Sequence, residues 1–268
     1  MNRIDERFVK LRNEGKVAFI PFITCGDPSL SLTPKLVLEL EKGGADIVEL
    51  GVPFSEPLAD GKVIQGATER ALKNKVTLSK VIDLVKDLRK ETDIPIVLLS
   101  YYNPIYRYGI VRFVEDAVRA SIDGVIIPDL PPEEADILKE KAMELDFATI
   151  FLVSPTSTEH RIKLITRYST GFIYYVSLEG TTGMRERLEE TIQYNIETIR
   201  AFTNKPIGVG FGIGTEDQAR RVAEVCDAVI VGSAIVSLID KNKDNEKLLE
   251  IIGGFARKLS IGIKKVRK

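Results

Sequence analysis

The chain has 268 residues, of which 44% are hydrophobic and 29% are charged, so it can bury a large core beneath a well-solvated surface. A formal net charge of −1 offers no excess that would attract nucleic acid or a membrane surface, and the apolar runs are too short to span a bilayer. Two distant cysteines, Cys25 and Cys226, suggest no disulfide framework, and we do not expect the charged N-terminal segment to be a signal peptide. We therefore expect a cytoplasmic location.

Short apolar runs alternate with helical patterns along the chain. A charged helix is predicted at about residues 3–14, with Ile4, Phe8 and Leu11 on one face. Eight runs rich in Val and Ile follow, and nearly unbroken apolar runs are typical of parallel strands covered on both faces. The runs are residues 17–23, 46–50, 94–100, 123–128, 148–154, 171–177, 206–210 and 227–232.

Eight strands alternating with helices predict an α/β fold, a TIM (β/α)8 barrel, with residues 1–268 as a single domain. An open doubly wound sheet is the alternative. In the barrel, the N-terminal helix before strand 1 is expected to close the bottom, and a short extra helix is expected after strand 8. The gap after the second strand is unusually long, and such insertions usually build the active-site face of a barrel.

The second run, "DIVEL", carries an acid within an apolar strand. Because strand side chains alternate, Ile47 and Glu49 share one face, whereas Val48 and Leu50 share the other. If Val48 and Leu50 pack against the helices, Glu49 points into the barrel near its top. Burial there would raise its pKa and suit the carboxyl group to acid–base catalysis. The alternative is a structural carboxylate paired with a basic group.

The loop after this strand carries two more acids. Asp60 lies within reach of the same mouth as a second catalytic carboxylate, or else it caps the following helix, "GKVIQGATERAL". Glu56 is expected to be a solvated loop charge.

Glycine-rich loops follow the last three strands: "EGTTGM", "GVGFGIG" and "VGSAIV". Glycine allows backbone N–H groups to approach a phosphate closely, and a helix N-terminus supplies N–H groups that lack a partner within the helix. Gly183, Gly212, Gly232 and Ser233 are therefore candidate phosphate contacts. The alternative is that these loops are ordinary tight turns.

The sequence lacks the residues that other TIM-barrel chemistries require at the expected positions. Schiff-base aldolases need an inward lysine, and none of the eight runs contains one. The lone histidine, His160, is expected on an outer helix, so no metal centre is predicted. Cys25 ends the first strand without a histidine partner, which favours plain packing. Acid–base chemistry by carboxylates on a phosphorylated substrate remains.

Seven segments, in order along nearly the whole chain, resemble the tryptophan synthase α subunit family. They are "VELGVPFSEPLADGKVIQ", "LLSYYNPI", "GVIIPDLPPEEA", "FLVSPTS", "GTTG", "GFGI" and "VGSAIV". The first is long and specific, whereas the glycine loops alone are generic. The resemblance implies a lyase of tryptophan biosynthesis that cleaves indole-3-glycerol phosphate to indole and glyceraldehyde 3-phosphate. It implies no cofactor in this chain, and a pyridoxal-phosphate β subunit that receives the indole in an α2β2 heterotetramer.

The family's functional residues can be placed on matching positions. The catalytic pair falls on Glu49 and Asp60, and the phosphate contacts fall on the four candidates above. The remaining substrate-binding positions are Phe22, Leu99, Ile126, Tyr174 and Phe211 for the indole pocket and Thr182 on the mobile loop after strand six. Many relatives have Asp at Glu56, Pro at Lys62 and "GVTG" in place of "GTTG". We expect these departures to adjust loop closure or the partner contact, not the chemistry.

The resemblance also implies that the loops at the catalytic end of the barrel, the catalytic rim, form a surface that contacts the β subunit. Pro53, Pro57, Asn103 and Pro104 are expected in its loops, and Tyr101 and Tyr102 are expected to support the second loop from below. Ordinary turn chemistry is the alternative. Two other functions stay open: another phosphate-handling barrel, such as an isomerase or indole-3-glycerol phosphate synthase, and a chain that binds ligand only to regulate its β partner.

Overall fold

The computed structural model describes residues 1–176, 185–210 and 212–266, and within 185–189 it describes the backbone alone. The strand segments are all parallel and hydrogen-bonded in the order β5-β4-β3-β2-β1-β9-β8-β7-β6. Their bounds are β1 (Ala18–Thr24), β2 (Val48–Gly51), β3 (Ile96–Leu99), β4 (Gly124–Ile126), β5 (Ala148–Ile150), β6 (Leu152–Val153), β7 (Ile173–Val176), β8 (Ile207–Gly210) and β9 (Ala228–Val231).

The sheet closes because β5 and β6 are two halves of one strand, separated by Phe151 alone. β5 pairs with β4 and β6 pairs with β7, so the two ends of the order meet. The N–H of Phe151 donates to the Ser169 hydroxyl at 3.2 Å, which interrupts the ladder at this residue. The predicted TIM barrel is confirmed, the open sheet is wrong, and the fifth predicted strand is split in two.

Helices surround the barrel and cover its outer apolar face. Those in the described part of the chain are α1 (Arg3–Asn13), α2 (Thr33–Lys42), α3 (Lys62–Lys73), α4 (Leu78–Leu88), α5 (Tyr102–Tyr108), α6 (Ile110–Arg119), α7 (Asp136–Glu144), α8 (Glu159–Tyr168), α9 (Arg185–Arg200), α10 (Glu216–Ala223), α11 (Ser233–Asn242) and α12 (Leu248–Lys264). Within these ranges, no helix is both long enough and apolar enough to cross a membrane.

The bottom of the barrel is closed by α1. The side chain of Asn2 accepts the N–H of Ile4 and starts this helix. Ile4, Phe8 and Leu11 belong to the apolar cluster inside the barrel, and the rings of Phe8 and Phe172 lie 5.8 Å apart. The predicted plug is confirmed.

Three aspartates at the bottom tie neighbouring strands together in the same way. The backbone N–H of each aspartate donates to the carbonyl of a partner residue, whose own N–H donates to the aspartate carboxylate. The pairs are Asp46 with Phe19, Asp123 with Ile96 and Asp227 with Ile207, with carboxylate distances of 2.9, 2.8 and 2.9 Å. These bonds fix the strand starts and leave the opposite end of the barrel to functional loops.

The long insertion after β2 forms a loop and then α3, before α4 leads to β3. A short helix also follows β9 as predicted, namely α11. One prediction at the rim was wrong: Asn103 and Pro104 lie in the first turn of α5 and not in a loop. The reason is that α5 begins directly after Tyr101, where the Asp129 carboxylate accepts the Tyr102 N–H at 2.8 Å.

Candidate active site

Glu49 points into the barrel from the carboxyl half of β2. Ile47, two residues earlier, belongs to the cluster inside the barrel, whereas Val48 and Leu50 belong to the cluster between strands and helices. The predicted alternation is therefore confirmed. Glu49 is only 1% exposed, and its Oε2 atom has no hydrogen-bond partner within the described residues. No basic side chain in that part of the chain pairs with it, which disfavours a structural ion pair.

Burial determines the protonation of this carboxyl group. Burial and, to a smaller extent, the negative charge of Asp60 together raise the pKa of Glu49 from 4.5 to about 8. At neutral pH Glu49 is therefore mainly protonated. A protonated carboxylic acid with a pKa near the working pH can both give and take a proton.

Asp60 lies half-buried at the end of the loop after β2. Its side chain does not cap α3, because the N-cap position is Gly61 and no side chain bonds there. The capping alternative is therefore wrong. Its carbonyl oxygen accepts the Gln65 side-chain amide at 2.7 Å, which fixes the loop to the helix. Burial raises the pKa of Asp60 to about 6, and the nearby Tyr101 hydroxyl opposes this rise.

An apolar cluster, the candidate pocket, lies beside the two carboxyl groups, since Phe22 of β1 pairs in register with Glu49 of β2. Phe22 is buried against Ala67 of α3 and Val236 of α11, with Ile64 and Leu99 packed at the same place. Ile64 and Ala67 were missed from the sequence. The sequence feature that could have identified them is the helix that begins directly after Asp60. The inward side chains of its first turns must face the mouth of the barrel.

The upper layer inside the barrel supplies the rest of the pocket. Ile126 is fully buried in the inner cluster, whereas Leu99 and Tyr174 pack on that cluster while remaining partly accessible. Leu152 does the same and was also missed, although alternation from Ile150 along the fifth strand indicates its inward direction. Such an apolar lining is of the kind that binds planar apolar groups in ligand sites.

Tyr174 faces both carboxyl groups. Burial raises its pKa well above the usual value, and the charges of Glu49 and Asp60 add to the effect. The tyrosine needs space on β8: a Cβ added to Gly210 would lie 2.6 Å from the Tyr174 hydroxyl oxygen. The absence of a side chain at Gly210 therefore leaves room for the Tyr174 phenol at the mouth of the barrel.

The candidate phosphate contacts lie beside the same pocket. Gly232 is the N-cap residue of α11 and Ser233 is its first residue, and no side chain caps this helix. Gly212 is exposed on the loop after β8, and nearby Gly214 lies against Ala234 of α11. The ends of β8 and β9 therefore bring three of the four predicted contacts together. Thr182, Gly183 and Phe211 lie outside the described residues.

The structure supports no catalytic role for three residues for which the sequence also predicted none, namely Cys25, His160 and Glu56. Cys25 is fully buried, and burial raises the pKa of its thiol to about 12, which suits packing and not nucleophilic attack. His160 is exposed on α8, and Glu56 is exposed on the loop after β2. Within the described ranges, no group of three or more His, Cys, Asp or Glu side chains could hold a metal ion.

A parallel barrel with two carboxyl groups in its mouth and an uncapped helix beside them defines a TIM-barrel enzyme with an acid–base site. The sequence model of the family described as tryptophan synthase alpha chain matches residues 8–259. The chain belongs to this family. It is a lyase that cleaves indole-3-glycerol phosphate, and the resemblance noted from the seven segments is confirmed.

Individual relatives agree over the whole length. The tryptophan synthase alpha chain of Geotalea uraniireducens is 49% identical over 99% of both chains, and that of a Thermoanaerobacter species is 45% identical over 97% of this chain and 98% of its own. A crystal structure of tryptophan synthase subunit alpha from Legionella pneumophila is 38% identical, with a TM-score of 0.92 over 98% of both chains. A chain of Mycobacterium tuberculosis tryptophan synthase is 32% identical, with a TM-score of 0.88 over 98% of both chains.

Proposed function

We propose that Glu49 and Asp60 carry the two proton-dependent tasks of indole-3-glycerol phosphate cleavage. The observation that supports this most is the buried Oε2 atom of Glu49, which has no hydrogen-bond partner in the described part of the chain. Leaving such an atom unpaired costs free energy. A substrate group placed over it supplies the missing interaction.

The cleavage is a retro-aldol step that begins at carbon C3 of the indole ring. Glu49 donates its proton to C3, which places positive charge on the ring nitrogen. Asp60, ionised at neutral pH, accepts the ring N–H and stabilises that charge. The two carboxyl groups thus need opposite protonation states, as their pKa values of about 8 and about 6 provide at neutral pH.

Glu49 then completes the reaction as a base. Now a carboxylate, it takes the proton of the glycerol hydroxyl adjacent to C3. The bond between C3 and the glycerol carbon breaks, its electron pair returns to the ring, and an aldehyde forms on the departing glyceraldehyde 3-phosphate. Glu49 ends the cycle protonated, as it began.

The rest of the pocket orients the substrate. The apolar side chains Phe22, Leu99, Ile126 and Tyr174 surround the indole ring. Backbone N–H groups at Gly212, Gly232 and Ser233 hold the phosphate, helped by the N-terminus of α11. From the family motif, Gly183 adds a fourth phosphate contact, and Thr182 and Phe211 complete the lining. Fixing both ends of the substrate restricts it to reactive conformations.

The catalytic rim faces the β subunit, which holds the pyridoxal phosphate in a cytoplasmic α2β2 assembly. Exposed apolar side chains at this end support a docking role: Leu58 is 89% exposed and Val63 is 40% exposed, on either side of Asp60. Tyr106 of α5 is 64% exposed. Gel filtration of the chain mixed with β subunit tests this, with Leu58→Asp expected to weaken the complex and separate migration of the wild-type chains counting against it.

The alternative functions lose support at particular residues. None of the strands β1 to β9 carries a lysine, which the synthase alternative would need at a strand end. The poised pKa of Glu49 disfavours a purely regulatory chain.

The decisive assay measures indole release from indole-3-glycerol phosphate, with and without β subunit. Glu49→Gln keeps the shape of the side chain and removes proton transfer, so we expect kcat to fall by about 10³-fold or more. A variant that kept near wild-type kcat would rule out this mechanism.

A further inference from the structure

Tyr101 occupies a key position beneath the loop that ends in Asp60. It lies between β3 and α5 and is only 2% exposed. Its ring centroid lies 5.5 Å from that of Phe54, on the same loop as Asp60. Tyr101 therefore packs under the loop after β2, and not only under the rim segment that follows it in sequence.

The hydroxyl group of Tyr101 binds the backbone of that loop directly before Asp60. Its oxygen accepts the backbone N–H of Ala59 at 2.9 Å. Because the oxygen lone pair meets this N–H, the hydroxyl proton is free to point elsewhere, and the phenol lowers the pKa of the neighbouring Asp60 carboxyl group. A single phenol thus fixes the backbone before Asp60 and acts on the carboxyl group that follows it.

We infer that Tyr101 is a positioning residue for Asp60, holding its carboxylate at the place where the indole N–H arrives. This inference rests on the proposed role of Asp60. Tyr101 itself touches neither the proton that moves nor the bond that breaks. Its contribution is preorganisation, since an untethered carboxylate at the end of a loop would need to be ordered in each catalytic cycle.

The charged groups around the phenol keep it protonated. Burial raises the pKa of Tyr101 above its usual range, and the charges of Asp60 and of Asp129, from the loop after β4, raise it further. The charge of Asp60 also acts on Glu49 of β2 and Tyr174 of β7, and it raises the pKa of both groups. The phenol that acts on Asp60 therefore stays protonated throughout the pH range in which Asp60 is ionised.

Tyr101→Phe keeps the ring against Phe54 and removes the hydroxyl group that binds the Ala59 N–H and acts on Asp60. We expect kcat/KM for indole-3-glycerol phosphate to fall by about tenfold, most of it in kcat. Because the hydroxyl group of Tyr101 lowers the pKa of Asp60, its loss should move the acid limb of the pH profile to higher pH by about half a pH unit or more. A purely structural tyrosine would leave that limb in place.

Tyr108→Phe is the matched control. The Tyr108 hydroxyl donates to a carboxylate, that of Asp116, at 2.7 Å, but on helices outside the barrel. This variant should keep the wild-type pH profile and kcat/KM.

A double-variant cycle separates this inference from the proposed function. If Tyr101 acts through Asp60, Tyr101→Phe should cost little further activity in an Asp60→Asn background. If Asp60→Asn lowers activity but Tyr101→Phe does not, the inference is wrong and the role of Asp60 stands. If Asp60→Asn has no effect, the proposed function itself is wrong, and the inference with it.

A second substitution does not depend on how well Tyr101→Phe folds. Incorporating 3-fluorotyrosine at position 101 keeps the hydroxyl group and makes the phenol a stronger donor. The acid limb should then move to lower pH, opposite to the shift in Tyr101→Phe. An unchanged acid limb in the fluorinated protein would overturn the inference.

Discussion

The carboxyl groups of Glu49 and Asp60 are electrostatically coupled across the mouth of the barrel, because the charge of Asp60 contributes to the high pKa of Glu49. At neutral pH the pair holds a single proton, which resides on the more deeply buried Glu49. The loop residue is left ionised. This division places a donor inside the barrel and an acceptor at its rim, as protonation of a ring carbon and stabilisation of a ring N–H require.

The coupled pair predicts a bell-shaped pH dependence of kcat/KM. Asp60 must be ionised, which sets an acid limb near pH 6, and Glu49 must be protonated, which sets an alkaline limb near pH 8. Initial rates of indole release at low substrate concentration, measured from pH 4.5 to 9.5, check this. A profile that stays flat between pH 5 and 9 would contradict the assignment of both groups.

Removing the charge of Asp60 should change the profile as well as the rate. In Asp60→Asn the acceptor for the ring N–H is weakened, so we expect kcat to fall by about 10²-fold. The remaining activity should have its alkaline limb at lower pH, because the charge that raised the pKa of Glu49 is gone. Glu69→Gln removes an exposed charge on α3 and serves as the control. Equal kcat values in the two variants would refute the role of Asp60.

The orientation of Glu49 was predictable because it depends on the local alternation of side chains in a strand, in which the apolar Val48 and Leu50 mark the face that packs against the helices. The split of the fifth strand was not, because the Ser169 hydroxyl that interrupts it comes from the following β–α–β unit. The same limit applies to Asp60: an acid before a glycine and a helix has the same local pattern whether it caps that helix or turns into the mouth. Tertiary packing decides between the two.

The pocket shows the same division between local and non-local information. Phe22 and Leu99 lie at strand ends, where position along the barrel axis follows from the strand itself. Ile64 belongs to a helix whose rotation about its axis is set by packing against α11, which no local pattern specifies. Sequence therefore predicted the strand-borne part of the site better than the helix-borne part.

Burial of Glu49 should make the stability of the protein depend on pH. The pKa of Glu49 rises from 4.5 to about 8 on folding, so between these pH values the folded chain holds a proton that the unfolded chain has lost. The contribution of Glu49 to the free energy of unfolding is therefore largest below pH 4.5 and falls as pH rises through 8, by at most about 5 kcal/mol.

Glu49→Gln isolates this contribution because it removes the titrating group. Urea unfolding of both proteins at pH 5, 6, 7 and 8 should show the variant gaining stability relative to wild type as pH rises. A difference that stays constant across this range would mean that Glu49 is not buried in the neutral form.

The start of α11 should control phosphate affinity. Ser233→Asp places a negative charge where the phosphate is proposed to bind, so we expect KM for the substrate and the inhibition constant of inorganic phosphate to rise by about tenfold or more. An acidic side chain in the first turn of a helix interacts favourably with the helix dipole, so Ser233→Asp should not lower the midpoint of thermal unfolding. Ser237→Asp, one turn further along α11, provides the control, and equal phosphate affinity in the two variants would move the phosphate site elsewhere.

The hydrogen bonds made by the three aspartates at the bottom of the barrel should affect the stability of the fold but not the rate of catalysis. Asp123 is 3% exposed and binds Arg3 at 2.9 Å and Arg89 at 2.8 Å, besides the N–H of Ile96. Asp123→Ala leaves buried donors without an acceptor, and we expect it to lower the free energy of unfolding by about 3–5 kcal/mol.

The exposed Asp93 on the same side of the barrel offers the comparison, since Asp93→Ala should cost less than about 0.5 kcal/mol. Both variants should keep wild-type kcat at temperatures where they are folded, because the strand starts lie at the opposite end of the barrel from Glu49. Paired measurements of the urea midpoint and kcat test the separation. A folded Asp123→Ala protein with impaired kcat would show that the bottom of the barrel also positions the catalytic end.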